Sequence, residues 1–460
     1  MTALRRALGF RDLVLFYLVT TFSLRWIATA AAAGPVALVF WAIAAACLFV
    51  PMVFTVLELS SRYPEEGGIY VWSKRAFGPF SAFLTGWMYW ATNLPYFPGL
   101  LYFAGANALY VAGASAARAY GASPSYFIAF AVAGLGITVL LNVVGLNVGK
   151  WLSNVGAIGG WIPIALLVGF GLYSWSKYGA ATPITAGSLK PGTGLKDFVF
   201  LSTVAFAFGG VESASTMGEE IVDARRTVPR AVIAAGVLIA VLYMIGTWCL
   251  LLALPKDQIS GLQGLLQAVQ AMATKSGVAW IVPIAAATIT LNAVGGVGGW
   301  FAATARLPFV AGIDRFLPPV FGRLHPRWNT PYVALLVQAA IAFVFIFLGQ
   351  AGTSVHGAYD ALVSMGIISY FIPFLFMFAA IVKLQREPAG PEVLRVPGGA
   401  PVAKLFGVMG FLVSVAAIVL ACVPADDDPN KTLAIVKIVG GSAVMVTIGA
   451  IIYFIGKRRS

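Results

Sequence analysis

The chain has 460 residues, of which 60% are hydrophobic and only 10% charged, with a mean hydropathy of +0.89. A soluble domain carries about a quarter charged residues, so water-soluble classes are excluded and lipid is the solvent. The net charge of +13 falls in short segments between apolar runs, not in a basic stripe with interleaved aromatics, which excludes nucleic acid as a partner and marks cytoplasmic loops.

From the N-terminus, "MTALRRALGFRDLVLFYLVTTFSL" has the basic-then-apolar order of a secretory signal, with Ala31 to Ala33 as its cleavage-like site. The many later spans favour an uncleaved first helix instead. Runs able to cross about 30 Å at about 1.5 Å per residue lie at about 12–33, 36–60, 80–111, 124–145, 155–176, 198–218, 231–254, 279–303, 331–349, 357–383, 403–423 and 433–455. Twelve spans put both termini on one side. With the termini inside, about 21 of the 30 Lys and Arg lie in or beside cytoplasmic segments and about 8 lie outside. That bias predicts a multi-pass protein of the cell membrane with cytoplasmic termini. Arg25 is the exception, lying inside the first span.

Cys47, Cys249 and Cys422 sit in apolar runs without CxxC spacing, and the only histidines are His325 and His356. Neither set suggests a disulfide framework, a metal site or a triad. No GxSxG, HExxH or P-loop occurs. The chain is therefore read as neither an enzyme nor ATP-driven, and it implies no cofactor. A channel would need a pore-lining ring of charge or carbonyls, and no filter-like repeat is present.

Two stretches echo each other. "GFRDLVLF", Gly9 to Phe16, and "GLKDFVFL", Gly194 to Leu201, each open a span, one from each side of the membrane. In that register Arg25 corresponds to Gly210. The pattern predicts one transmembrane unit built of inverted repeats over 1–185 and 186–390, with two helices added over 391–460.

The span after the second echo contains "FAFGGVESASTMGEE", Phe206 to Glu220. Glycine weakens a helix by about 1 kcal/mol relative to alanine, and a carboxylate in hydrocarbon costs about 2.5 kcal/mol or more. Gly209, Gly210 and Glu212 are thus expected to form an unwound break facing a cavity, where freed backbone groups are tolerated and half-helix ends hold a charged substrate. The bland alternative is that the glycines only allow close helix packing.

"FAFGGVESASTMGEEIVDARRTVPRA", "ELSSRYPEEGGIYVWSKRAFGP" with "LTGWMYW", and "GGVGGWFAATARLPFVAGIDRFLPPVFGRLHPRWNTP" resemble the sixth helix, the second-to-third connection and the eighth helix of amino acid–polyamine–organocation permeases. "GVESAS" and "YFPGLLYFAGANALY" are most similar to the glutamate/GABA antiporters and their relatives. The resemblance spans nearly the whole chain. It implies an all-α membrane protein of twelve helices, with a five-plus-five inverted repeat and broken helices 1 and 6. It also implies alternating-access secondary transport of amino acids, as an exchanger or proton-linked permease, with a polyamine or amine permease as the alternative.

Carried over by these matches, Phe206 and Phe208 would be aromatic walls, Gly209 and Gly210 the break, Glu212 the carboxylate behind it and Trp300 a cavity residue. Two departures stand out. The first helix has "TTFSLRWIATAAAAGP" in place of the family's Gly-Ser/Thr-Gly, with its break expected near Ser23 to Trp26. The fifth helix, "NVGAIGGWIPIALL", lacks the lysine of some proton-coupled relatives.

Ser23, Arg25 and Trp26 are therefore candidate substrate-binding residues, and Glu212 and Tyr89 are candidate proton or gating residues. Arg25 keeps its proton and needs an anion, either Glu212 or a substrate carboxylate; a third reading is a cation standing in for sodium. Glu58 and Arg62 read as an ion pair at a loop, and Asp360 as a residue of the outer mouth. The expected partners are an amino acid substrate and the lipid bilayer. Substrate identity, coupling ion and oligomeric state stay open.

Overall fold

The computed structural model describes residues 9–458 except 66, 145, 216–220, 306, 309–315, 329 and 425–429. Among the described residues every regular element is a helix. Lipid imposes this, because hydrocarbon offers no partner for a backbone group left unpaired within its own segment.

The first expected span forms as two helices, α1 (Phe10–Thr21) and α2 (Leu24–Ala31). The Gly9 N–H donates to the Asp12 carboxylate at 2.8 Å and fixes the start of α1. Phe22 and Ser23 then run extended, with ψ of 125° and 130°. The break is that pair, so Arg25 and Trp26 are already helical.

α3 (Val36–Arg62) crosses with one π turn at Ala45–Phe49, followed by the short α4 (Ile69–Phe77). α5 (Pro79–Ala91) and α6 (Asn93–Ala108) together make the expected third span, offset at Thr92. Pro95 lacks the N–H that would bond the Ala91 carbonyl, which loosens the helix there. α7 (Pro124–Val144) and the 33-residue α8 (Leu146–Tyr178) follow.

α9 (Leu195–Phe206) repeats the design of α1. Its Gly194 N–H donates to Asp197 at 3.2 Å, and it too has 12 residues. Past Phe206 the chain leaves the helix in tight turns through Ser215; the rest of the expected sixth span, 216–218, lies outside the described residues. The remaining helices are α10 (Ala224–Ala253), α11 (Gly264–Lys275), α12 (Ile281–Thr304), α13 (Tyr332–Gln350), α14 (Val355–Leu384), α15 (Gly399–Ala421) and α16 (Lys431–Lys457).

Eight helices among the described residues are long and apolar enough to cross a membrane. The other expected spans fall on α1–α2, α5–α6, α8 and α9. Helices α14 and α10 supply much of the interior, whereas α15 and α16 expose Leu405, Leu412, Val419, Val444 and Ile451 as a lipid-facing surface.

Helices α8 and α12 meet along a glycine seam. A Cβ on Gly156 would lie 2.8 Å from the Gly295 Cα, and the Asn292 amide donates to the Gly156 carbonyl at 2.9 Å. Glu58 and Arg62 do form an ion pair, at 2.9 Å, but inside the protein, not in a loop. Glu58 also accepts from Gln385 Nε2 at 2.5 Å and from the Val396 N–H at 3.0 Å. That node clasps the segment after α14 to the end of α3.

Candidate functional site

Two interrupted helices meet in the middle of the bundle, and their broken ends are tied to each other. The Ser23 N–H donates to the Tyr243 hydroxyl at 3.1 Å. That hydroxyl lies 2.9 Å from the Thr21 carbonyl and 3.1 Å from the Ala207 carbonyl, so one side chain of α10 serves both breaks. Thr20 and Ser213 hydroxyls pair at 3.2 Å across the same junction.

Gly210 explains the glycine pair. Its φ is +122°, and a Cβ there would sit 2.7 Å from Thr21 Oγ1 and 2.8 Å from the Thr20 carbonyl. A side chain would meet both a backbone conformation that L residues avoid and the end of α1. Gly209 is equally confined, with a Cβ reaching 2.2 Å from the Tyr370 ring.

Glu212 is fully buried and has no cation beside it among the described residues. Its Oε1 accepts from Tyr89 at 2.9 Å and from Tyr370 at 2.5 Å, and its Oε2 accepts from the Gly210 N–H at 3.1 Å. Hydrogen bonds to the charged form offset the desolvation of a buried carboxylate. The two tyrosine bonds also join the α9 break to α5 and α14, while the Gly210 bond stays within the break.

Beside this junction lies a cavity of about 320 Å³. Of the residues singled out in the sequence, Ser23, Trp26, Tyr89, Phe206, Gly209 and Trp300 line it. Trp26 and Phe206 meet edge-on at 5.5 Å, and Phe206 meets Tyr370 at 5.4 Å, forming an aromatic wall at one end. The lining continues past the first break to Phe16 and across to Trp161 of α8.

The other four candidates stand behind that lining. Phe208 packs on Phe49 at 4.5 Å and on Trp41 at 5.3 Å, supporting the break from outside the cavity. Gly210 and Glu212 form the backing just described. The Arg25 guanidinium lies over the Trp26 ring at 4.0 Å and the Tyr96 ring at 4.8 Å. It makes no ion pair with Glu212, and no carboxylate among the described residues lies within 4.0 Å of it.

Sequence reading missed Tyr243 and Tyr370. Each is a tyrosine inside a strongly apolar span, "IAVLYMIG" and "GIISYFIPF". A buried hydroxyl needs a partner, and that was the available signal. Tyr96, Asn93 and Asn292 also line the cavity and carried no signal beyond their polarity.

A model of the amino acid permease family matches residues 8–444. The chain belongs to the amino acid permease family. The permease is similar to an uncharacterised transporter of Legionella pneumophila, 26% identical over 96% of each chain. It is also similar to a probable agmatine/putrescine antiporter of Lactococcus lactis, 22% identical over 92% of this chain and 91% of that protein. Among solved structures, MhsT in complex with L-phenylalanine shares the fold with a TM-score of 0.62, at 15% identity, over 91% of the permease and 99% of that chain. The permease is thus a multi-pass, all-α membrane transporter, as the motifs led us to expect.

Proposed function

We propose that the permease exchanges amino acids or related amines by alternating access through the cavity between the two breaks. Both termini lie in the cytoplasm, and the bundle is two inverted repeats, 1–185 and 186–390, with 391–460 added. The matching caps, lengths and breaks of α1 and α9 support the repeat; the excess of Lys and Arg on the side of the termini supports the orientation.

One observation carries the mechanism. The breaks are bonded to each other through Tyr243 and the Thr20–Ser213 pair, but to α5 and α14 through Glu212. If the breaks move as a unit, the Glu212 bonds must give way. Charge-assisted hydrogen bonds are roughly twice as strong as neutral ones, so protonating Glu212 loosens that tie. Glu212, with Tyr89, is then the proton or gating element. Ser23, Trp26, Phe206, Gly209 and Trp300 contact substrate, while Gly210 and Phe208 hold the break in shape.

A second reading, an amine substrate, is favoured by the cavity's chemistry. Its lining is aromatic and uncharged, and Glu212 is the carboxylate directly behind Tyr89 and Tyr370. Aromatic faces and a nearby carboxylate attract an ammonium group.

The test is counterflow in proteoliposomes loaded with acidic, neutral and basic amino acids, agmatine or putrescine. Saturable uptake accelerated by one class on the opposite side is expected, and which class does so decides between the readings. Flux that neither saturates nor responds to the opposite side would refute exchange.

A further inference from the structure

Arg25 is 1% exposed, and its Nε has no hydrogen-bond partner. A guanidinium keeps its charge, and a buried charge requires a compensating group. The Trp26 and Tyr96 rings lie against it, at 4.0 and 4.8 Å from its central carbon. Cation–π contact leaves the in-plane N–H donors unspent. The group lies beside Gly99 of α6, whose Cα side also faces Leu362 of α14. Gly99 presents no side chain, and an added Cβ would stand 3.8 Å from Arg25 Nη1.

A second unsatisfied donor faces the same region. Tyr359, near the start of α14, is 4% exposed, and its hydroxyl has no hydrogen-bond partner. Its neighbours include the Thr29 hydroxyl, which lies outside hydrogen-bond geometry and donates to the Arg25 carbonyl instead, and Tyr359 lies within Coulombic range of both Arg25 and Asp360. Two buried donors from different helices, one of them cationic, are therefore left without acceptors. Glu212 does not serve, since it makes no ion pair with Arg25 and bonds Tyr89, Tyr370 and Gly210 instead.

We propose that Arg25 and Tyr359 form a separate site for a monovalent anion, a carboxylate or a halide, behind Trp26 and distinct from the central cavity. The planar fork of Arg25 suits a carboxylate, and the hydroxyl of Tyr359 donates to it from the side. A halide meets the same donors without the fork geometry. The proposal rests on these two side chains and holds whichever substrate the cavity carries.

The test uses full-length protein in detergent, with thermal unfolding followed as sodium acetate or sodium chloride is titrated against sodium sulfate at constant ionic strength. A ligand of the native state raises the melting temperature saturably. Such a rise is expected for acetate, for chloride, or for both. Acetate alone identifies a carboxylate site, and a response to chloride identifies a halide site. Arg25→Gln should abolish the rise. Tyr359→Phe removes only an unbonded oxygen and should leave the fold intact while raising the half-saturating concentration about tenfold. The proposal is overturned if neither salt shifts the wild type, if Arg25→Gln keeps the shift, or if Tyr359→Phe leaves the half-saturating concentration unchanged.

Discussion

Replacing Gly210 by alanine tests whether the broken ends must touch for substrate to bind. The residue has φ +122°, and its new Cβ would stand 2.7, 2.8 and 3.0 Å from Thr21 Oγ1, the Thr20 carbonyl and Thr21 Cα. Two of these atoms are backbone, so no rotamer change relieves the contact. Holding a non-glycine residue in such a region costs about 1–3 kcal/mol, and overpacking adds about 1–3 kcal/mol. The sum is about 2–6 kcal/mol, and either α1 retreats or Gly210 changes conformation. Retreat parts Thr20 from Ser213, while a change at Gly210 withdraws its N–H from Glu212. Both distort the cavity wall at Gly209. Since 1.4 kcal/mol is about a tenfold change in affinity, the lower bound predicts binding weakened at least about 30-fold. Binding of labelled substrate to purified Gly210→Ala, with membrane insertion checked by expression and size-exclusion profile, measures it. Leucine at the same position should abolish binding while leaving hydropathy, and hence insertion, intact. Wild-type affinity in Gly210→Ala would show that the glycine serves packing alone and that the breaks need not meet.

Glu212→Gln keeps the size and much of the hydrogen bonding of Glu212 but removes its titration. Exchange should rise as pH falls in the wild type and become nearly flat with pH in the variant; parallel profiles would rule out Glu212 as the sensing acid. Tyr243→Phe leaves the Ser23 N–H and two break carbonyls without their shared partner, costing about 1–3 kcal/mol. It should lower both apparent melting temperature and substrate affinity, whereas a fall in stability alone would detach Tyr243 from the site. Glu58→Ala takes the carboxylate partner from Arg62, whose side chain is 6% exposed, leaving it the Leu384 and Glu387 carbonyls, and breaking a buried pair costs about 3–5 kcal/mol. The expected loss of thermal stability should be much smaller in Glu58→Gln, which can still bond Gln385 and Val396.

Much of the fold was legible because lipid leaves the chain few choices. Apolar length placed the spans, and Gly9–Asp12 and Gly194–Asp197 marked the starts of two half-helices that have the same cap and length. The second break was readable from Gly209 and Gly210, because Gly210 takes a backbone that glycine favours and Gly209 leaves no room for a side chain against Tyr370. The first was harder. Phe22 and Ser23 are unremarkable residues whose extended geometry is held from outside by Tyr243, a contact spanning 220 positions in sequence. Arg25 drew the expected break, Ser23 to Trp26, past the extended pair of Phe22 and Ser23 by up to three residues, since an arginine in lipid suggests exposed backbone. It is instead an ordinary helical residue with a stacked side chain. Of the partners of Glu212, Tyr89 of α5 was among the candidates, but Tyr370 of α14 was not, because no local pattern announces a tyrosine 158 positions away.

The junction also bears on what a substrate must carry. α1 and α9 both end at it, and a helix C-terminus bears a partial negative charge with carbonyls lacking intrahelical partners. The Tyr243 hydroxyl has one proton, yet it lies within hydrogen-bond distance of both the Thr21 and Ala207 carbonyls. At any moment one of the two is without that donor. The Glu212 carboxylate, immediately behind, adds to the same sign. Opposing it, the N-terminus of α2 faces the junction, but its Ser23 N–H is already held by Tyr243 and its Trp26 N–H by the Ser23 carbonyl. Two negative helix ends and Glu212 stand against the positive end of α2 and the buried Arg25 of its first turn, which lies within Coulombic range of the Tyr243 hydroxyl. The negative ends suit an ammonium group, which is common to amino acids and amines, and the α2 end with Arg25 suits a carboxylate. Agmatine and putrescine carry only the first of these groups, which is why counterflow with them is the decisive arm of the transport experiment.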